Sequence, residues 1–255
     1  MALGLAAAAL AFSMPYPAAA EPLPAPLVHL RAVDPTILQD MRYAGANNFT
    51  GSVLPGYAAA ECILTRPTAQ ALARVQADLK RAGFSLKVYD CYRPVRAVAA
   101  FAAWSRQPAD DTLRRYHPAT DKRRLFELGY ISEQSGHSRG NTVDLTLVRL
   151  PVQLVAAFDP ERAYAACTAA NVAQREPDTG LDMGTAFDCF DPASSTNSRE
   201  ITSVQRQARQ RLVSAMQRRG FRNYAKEWWH FTFNGAETDE PLDVPVSAYT
   251  AGARP

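Results

Sequence analysis

The stretch Ser135-Gly136-His137-Ser138-Arg139-Gly140-Asn141-Thr142-Val143-Asp144 most limits what this chain can fold into. His137 and Asp144 are seven residues apart, which on a helix would place them on one face. Gly136 and Gly140 oppose a helix, and Thr142-Val143 starts a β-branched alternation that favours a half-buried strand from Thr142 to Val148. His137 is therefore expected in a glycine-bearing turn and Asp144 on the strand that follows. Far downstream, Glu227-Trp228-Trp229-His230 supplies another carboxylate and another imidazole. Two imidazoles and a carboxylate that leave a fourth position open to water are what a catalytic zinc site needs. A zinc-bound water, with a pKa of about 7, still needs a base beside it, and Glu227 is the candidate. On one flat strand Glu227 and His230 would face opposite sides. Both reach one metal only if Glu227 sits in the turn before the strand or on a bulge.

Hydrophobic periodicity places the other elements. Asp34 to Asp40 reads as a short helix capped by Asp34. Arg66 to Ala82 reads as an amphipathic helix with Ala71, Leu72, Val75 and Leu79 inward and Gly83 as its stop. Phe84 to Tyr89 reads as a strand, and Val95 to Trp104 as a helix opened by Pro94. Pro151 to Gly184 has the least periodicity and reads as an insertion or long hairpin on the core sheet. Ser198 to Arg219 reads as a long amphipathic helix with Ile201, Ala208, Leu212 and Met216 buried, and Lys226 to Phe233 as a short aromatic strand. No repeat and no linker divides the chain. The expected architecture is one α+β domain, with helices packed on a mainly antiparallel sheet.

With 255 residues and 47% hydrophobic content the chain can bury a substantial core. Its formal charge is only +3, and the basic clusters Lys122-Arg123-Arg124 and Arg206 to Arg219 read as solvated helix faces. Nucleic-acid binding is not expected. Residues 1–20 combine an apolar run with small residues before Glu21, the pattern of a secretory signal peptide cut near Ala20, although no Lys or Arg precedes the run. The run is too short to span a membrane. A periplasmic or secreted location follows if the segment is a signal, and a cytoplasmic one if it is not. Cys62, Cys91, Cys167 and Cys189 all follow the expected cleavage point. Three pairings are possible; sequence proximity favours Cys62 with Cys91 and Cys167 with Cys189. No C-x2-C spacing supports a Cys/His zinc site.

Five segments, in order, resemble the D-alanyl-D-alanine dipeptidases, within the wider group of D-Ala-D-Ala metallopeptidases and hedgehog-like folds. They are the two motifs above, Met41-Arg42-Tyr43-Ala44 running to Asn48-Phe49-Thr50-Gly51, Tyr89-Asp90-Cys91-Tyr92-Arg93-Pro94, and Met183-Gly184-Thr185-Ala186-Phe187-Asp188. The likeness spans 33–246, leaving 21–32 as an extended lead-in and 247–255 as a tail. It implies one zinc ion per chain, held by His137, Asp144 and His230, with Glu227 as general base. It also implies Arg93 as the guanidinium that stabilises negative charge on the scissile carbonyl. Asp188, Ser135 and Tyr43 match the positions that hold the free amino group of the substrate. The implied substrate is D-Ala-D-Ala or a similar small D-dipeptide. A D,D-carboxypeptidase acting on peptidoglycan stems is the alternative, and a non-catalytic zinc-binding module is a more distant one. Trp228 and Trp229 read as core, one of them free to wall the pocket. His29, His117 and Arg96 read as structural or exposed. Oligomeric state is not legible.

Overall fold

The computed structural model of the protein describes residues 23–111, 113–235 and 240–251. The signal-peptide expectation lies outside the described residues. The chain joins the core at Leu27, ahead of the Val33 boundary read from sequence. Strand β1 (Leu27–His29) leads directly into a single helical turn, α1 (Leu30–Val33), and Leu30 is buried. The helix expected over Asp34–Asp40 does not form. Asp34 Oδ1 instead accepts from the backbone N–H and hydroxyl of Thr36, a local turn that competes with helix. The short strand β2 (Leu38–Gln39) follows.

Strand β3 (Ile63–Thr65) pairs antiparallel with β1, making a small second sheet. Helix α2 (Arg66–Arg81) starts where Thr65 accepts from Thr68 N–H and Pro67 occupies the first turn, and it stops before Gly83, whose φ of +78° suits a glycine. Its apolar stripe, Ala71, Leu72, Val75 and Leu79, packs toward strand β4 (Phe84–Asp90). Helix α3 (Val95–Arg106) then runs two residues beyond its expected end.

The main sheet has the order β2-β4-β5-β7-β6, with β5 Thr142–Arg149, β6 Phe221–Asn223 and β7 His230–Phe233. Only β2 runs parallel to its neighbour. The period-two pattern of β5 suggested one wet face, yet every residue from Thr142 to Val148 is buried. A central strand covered on both sides buries its threonines too, and alternation alone does not reveal that.

Pro151 to Gly184 forms no hairpin. Apart from the single turn Val172–Gln174 it is irregular chain, fixed by Leu181 N–H to Leu147 O at 2.7 Å and by the Cys167–Cys189 disulfide. Helix α4 (Ser203–Gln217) begins five residues later than read, because Thr202 and Gln205 form a capping box. Ala208, Leu212 and Met216 are buried on it as expected, and Ile201 is buried just ahead of it. The basic clusters are only partly solvated. Arg209 is fully buried, donating to the carbonyls of Met183, Ser195 and Ala193. Lys122 is buried as well, over the Trp104 ring.

Candidate metal centre and active site

Register puts two of the expected ligands together. Asp144 on β5 stands directly opposite His230 on β7, so both side chains leave the same face of the sheet. His137 comes from the 3-10 turn Gly136–Arg139 that precedes β5. That turn closes at Gly140, whose φ of +68° lies in the left-handed region that favours glycine and whose missing Cβ would meet Leu27 at 2.8 Å. His137 Nε2 lies 3.3 Å from Asp144 Oδ2 and 3.3 Å from His230 Nδ1, and His230 Nδ1 lies 3.0 Å from Asp144 Oδ1.

The protons on these groups are constrained. His137 Nδ1 is 2.7 Å from the Cys91 carbonyl, which can only accept, so Nδ1 carries a hydrogen and Nε2 is the nitrogen that can offer a lone pair. That lone pair points at another imidazole and a carboxylate. Asp144 Oδ1 is buried without a hydrogen bond of good geometry. One ligand atom from each residue lies within 4.8 Å of the others. Two imidazole nitrogens and a carboxylate converging around one orphaned buried oxygen fit a cation. Burial by itself would raise the Asp144 carboxyl, but the two imidazoles outweigh it and hold it well below the usual carboxylate range. Burial lowers His230, against the pull of Asp144, and so favours the neutral ring that a metal requires.

Glu227 sits in the turn before β7, the first of the two placements that the spacing allowed. Its N–H donates to Tyr224 O, and Asn223 Nδ2 donates to its carbonyl. Its Oε2 is 3.6 Å from His230 Nδ1. Burial, reinforced by the charges of Asp144 and Asp188, raises its carboxyl well above the ordinary glutamate value. Arg93 lies just past the end of β4, stacked on the rings of Tyr43 and Phe101. Its Nε donates to Asp90 at 2.9 Å, and its Nη2 is 3.7 Å from Asp144.

At the inner end of the cleft, Tyr43 Oη donates to Asp188 Oδ2 at 2.9 Å. Asp188 is buried and adopts φ +57°, the one positive φ among the described non-glycine residues. Its carboxyl is raised well above the usual range by burial and then by Asp144. Ser135 caps the His137 turn by accepting from its N–H at 3.3 Å, and it also faces the cleft. All eight residues singled out from sequence line a single cleft of about 680 Å³. Trp229 walls it, while Trp228 is core and donates to Thr185 Oγ1. Arg96 forms an exposed ion pair with Asp243, and His117 is buried away from the cleft.

Sequence reading passed over Asp90. This fully buried carboxylate takes Arg93, receives the Tyr57 hydroxyl at 2.6 Å and lies 3.3 Å from His137 Nδ1. Its place two residues before Tyr92-Arg93 was the available signal. The outer wall, which includes Phe126, Tyr130 and Gln134, carries no motif and was also missed.

A profile of the family described as D-ala-D-ala dipeptidase (Peptidase M15) matches residues 24–159 and 152–247. The chain belongs to this family. A D-alanyl-D-alanine dipeptidase of Streptomyces coelicolor is 36% identical over 210 residues, covering 82% of this chain and 92% of that protein. One from Enterococcus faecalis is 34% identical, covering 79% and 86%, and one from Escherichia coli 27%, covering 80% and 83%. The family is one of metal-dependent peptidases, and the α+β fold and both favoured cysteine pairings are as read from sequence. No described helix is long and apolar enough to cross a membrane.

Proposed function

We propose that this peptidase hydrolyses D-alanyl-D-alanine, or a similar D-dipeptide, to free D-amino acids with one zinc ion per chain. His137, Asp144 and His230 would hold the ion, which would polarise the scissile carbonyl and acidify a water molecule. Glu227 takes the proton from the attacking water and returns it to the leaving amine. Burial raises this carboxyl above its ordinary range, which makes it the stronger base that holding and returning a proton requires. Arg93, held by Asp90 and by two aromatic faces, offers a fixed positive charge to the carbonyl oxygen as the amide becomes tetrahedral. Two disulfides favour an oxidising compartment, and with the leader-like residues 1–20 they support export of the chain.

The observation that carries the dipeptidase reading over a carboxypeptidase is the buried Asp188 carboxylate in the same cleft. A buried carboxylate is costly without a cation. A free substrate ammonium would supply one, whereas the acylated amine of a stem peptide would not. The names of the relatives agree with this reading. The test is metal analysis of the purified protein together with kcat/KM for D-Ala-D-Ala and N-acetyl-D-Ala-D-Ala. We expect about one zinc per chain and strong preference for the free dipeptide. Comparable rates on the two would make the protein a D,D-carboxypeptidase.

A further inference from the structure

Residues 90–93 touch the candidate centre at three points. Asp90 fixes the Arg93 guanidinium, the Cys91 carbonyl takes the His137 Nδ1 hydrogen, and Arg93 N–H donates to the His137 carbonyl at 3.2 Å. Yet Cys91 lies beyond the sheet. The β4–β5 ladder shifts register between Val88 and Asp90, and its last pair is Asp90 with Asp144. From there the chain turns toward β3. Two links hold it there: Tyr92 N–H to Ile63 O at 2.9 Å, and the Cys62–Cys91 disulfide.

The far end of that disulfide is firmly anchored. The Cys62 carbonyl accepts from Leu30 N–H, and Cys62 N–H donates to Gln39 Oε1, each at 2.8 Å. Both cysteines are fully buried. The bond thus joins a residue fixed by α1 and β2 to the residue whose carbonyl takes the Nδ1 hydrogen of a candidate ligand.

We propose that the Cys62–Cys91 disulfide is a positioning device for His137: it holds the Cys91 carbonyl in place, and the hydrogen bond from Nδ1 to that carbonyl keeps the ring turned so that Nε2 is aimed at Asp144 and His230. The Cys167–Cys189 bond braces the Asp188 end and has no such role. This rests on the reading of His137, Asp144 and His230 as metal ligands. A metal ligand whose outer hydrogen-bond partner is lost typically loses 10–100-fold in metal affinity.

The experiment is zinc affinity by chelator competition on the metal-free full chain, for wild type, H137A, C62A/C91A and C167A/C189A. We expect C62A/C91A to bind zinc roughly 10–100-fold more weakly and C167A/C189A to match wild type, even where both lose thermal stability. Imidazole 15N spectra of metal-free protein should also show His137 losing its single Nδ1–H tautomer in C62A/C91A alone. Unchanged affinity and tautomer in that variant would overturn the proposal, as would an equal loss in both disulfide variants. Should C62A/C91A not fold, C62A/C91V refills the buried volume and takes its place. If neither folds, the bond serves the whole fold and the assignment to His137 is wrong. Failure of wild type to bind zinc, or of H137A to weaken it, would instead refute the metal site itself.

Discussion

Asp144 and His230 face each other across paired strands, whereas Asp188 stands in chain with neither strand nor α-helix between Arg149 and Ser203. The first pair is located by backbone ladder geometry, which fixes Cα positions on both sides. Asp188 is located by straps: the neighbouring Cys167–Cys189 bond, Phe190 N–H to Tyr116 O, and Arg209 gripping three carbonyls around it. The two methods suit different work. Metal bonds tolerate only a few tenths of an ångström, and a ladder supplies that. A substrate-contacting residue on strapped chain can be varied without disturbing the sheet. The two ends are tied together, since Trp228, next to Glu227, donates from its indole to Thr185 and from its backbone to Ser194.

The comparison breaks first at Glu227. Replacing it with glutamine should lower kcat by about 10²–10⁴-fold while zinc stays bound. Metal content and kcat measured on the same preparation check this. Loss of zinc with normal turnover per bound ion would make Glu227 a ligand instead. At the strapped end, D188N should leave zinc affinity unchanged and cut kcat/KM on D-Ala-D-Ala by roughly 30- to 1,000-fold, the about 2–4 kcal/mol typical when one partner of a buried charge pair is removed. Activity on an N-acylated dipeptide should hardly move, so the ratio of the two rates is the measurement. The smallest effect on chemistry is expected for R209M. Three carbonyls would lose their donor, destabilising the fold by about 3 kcal/mol. KM for the free dipeptide should rise while zinc affinity holds. Denaturant unfolding alongside zinc titration separates these, and equal damage to metal binding would erase the distinction between ladder and strap.

The ladder end was far more legible in sequence than the strapped end. Glycines around His137 and the β-branched run into Asp144 carry local physics that survives folding, and the spacing of Glu227 from His230 required the turn that is found. Helices α2 and α4 announced themselves by periodicity, although Thr202 moved the start of α4 through a capping box that hydrophobic pattern alone does not weigh. Burial of both faces of β5 depends on what packs above and below it, which is tertiary information. Asp188 was readable only through family likeness, because Asp-Cys-Phe-Asp-Pro looks like any turn. Arg209 misled for a related reason: in a run of arginines, nothing local marks the one that turns inward to backbone carbonyls.

Because Asp144 and His230 are cross-strand partners, the proposed site can exist in only one alignment of β5 with β7. A slip of one residue would send the ring and the carboxylate to opposite faces, leaving His137 with Asp144 alone. An ion that binds only the correct alignment favours it by mass action over every misaligned one. Metal capture would then act as a proofreading step in assembly, and a newly made chain would hold no reactive centre until its sheet had closed.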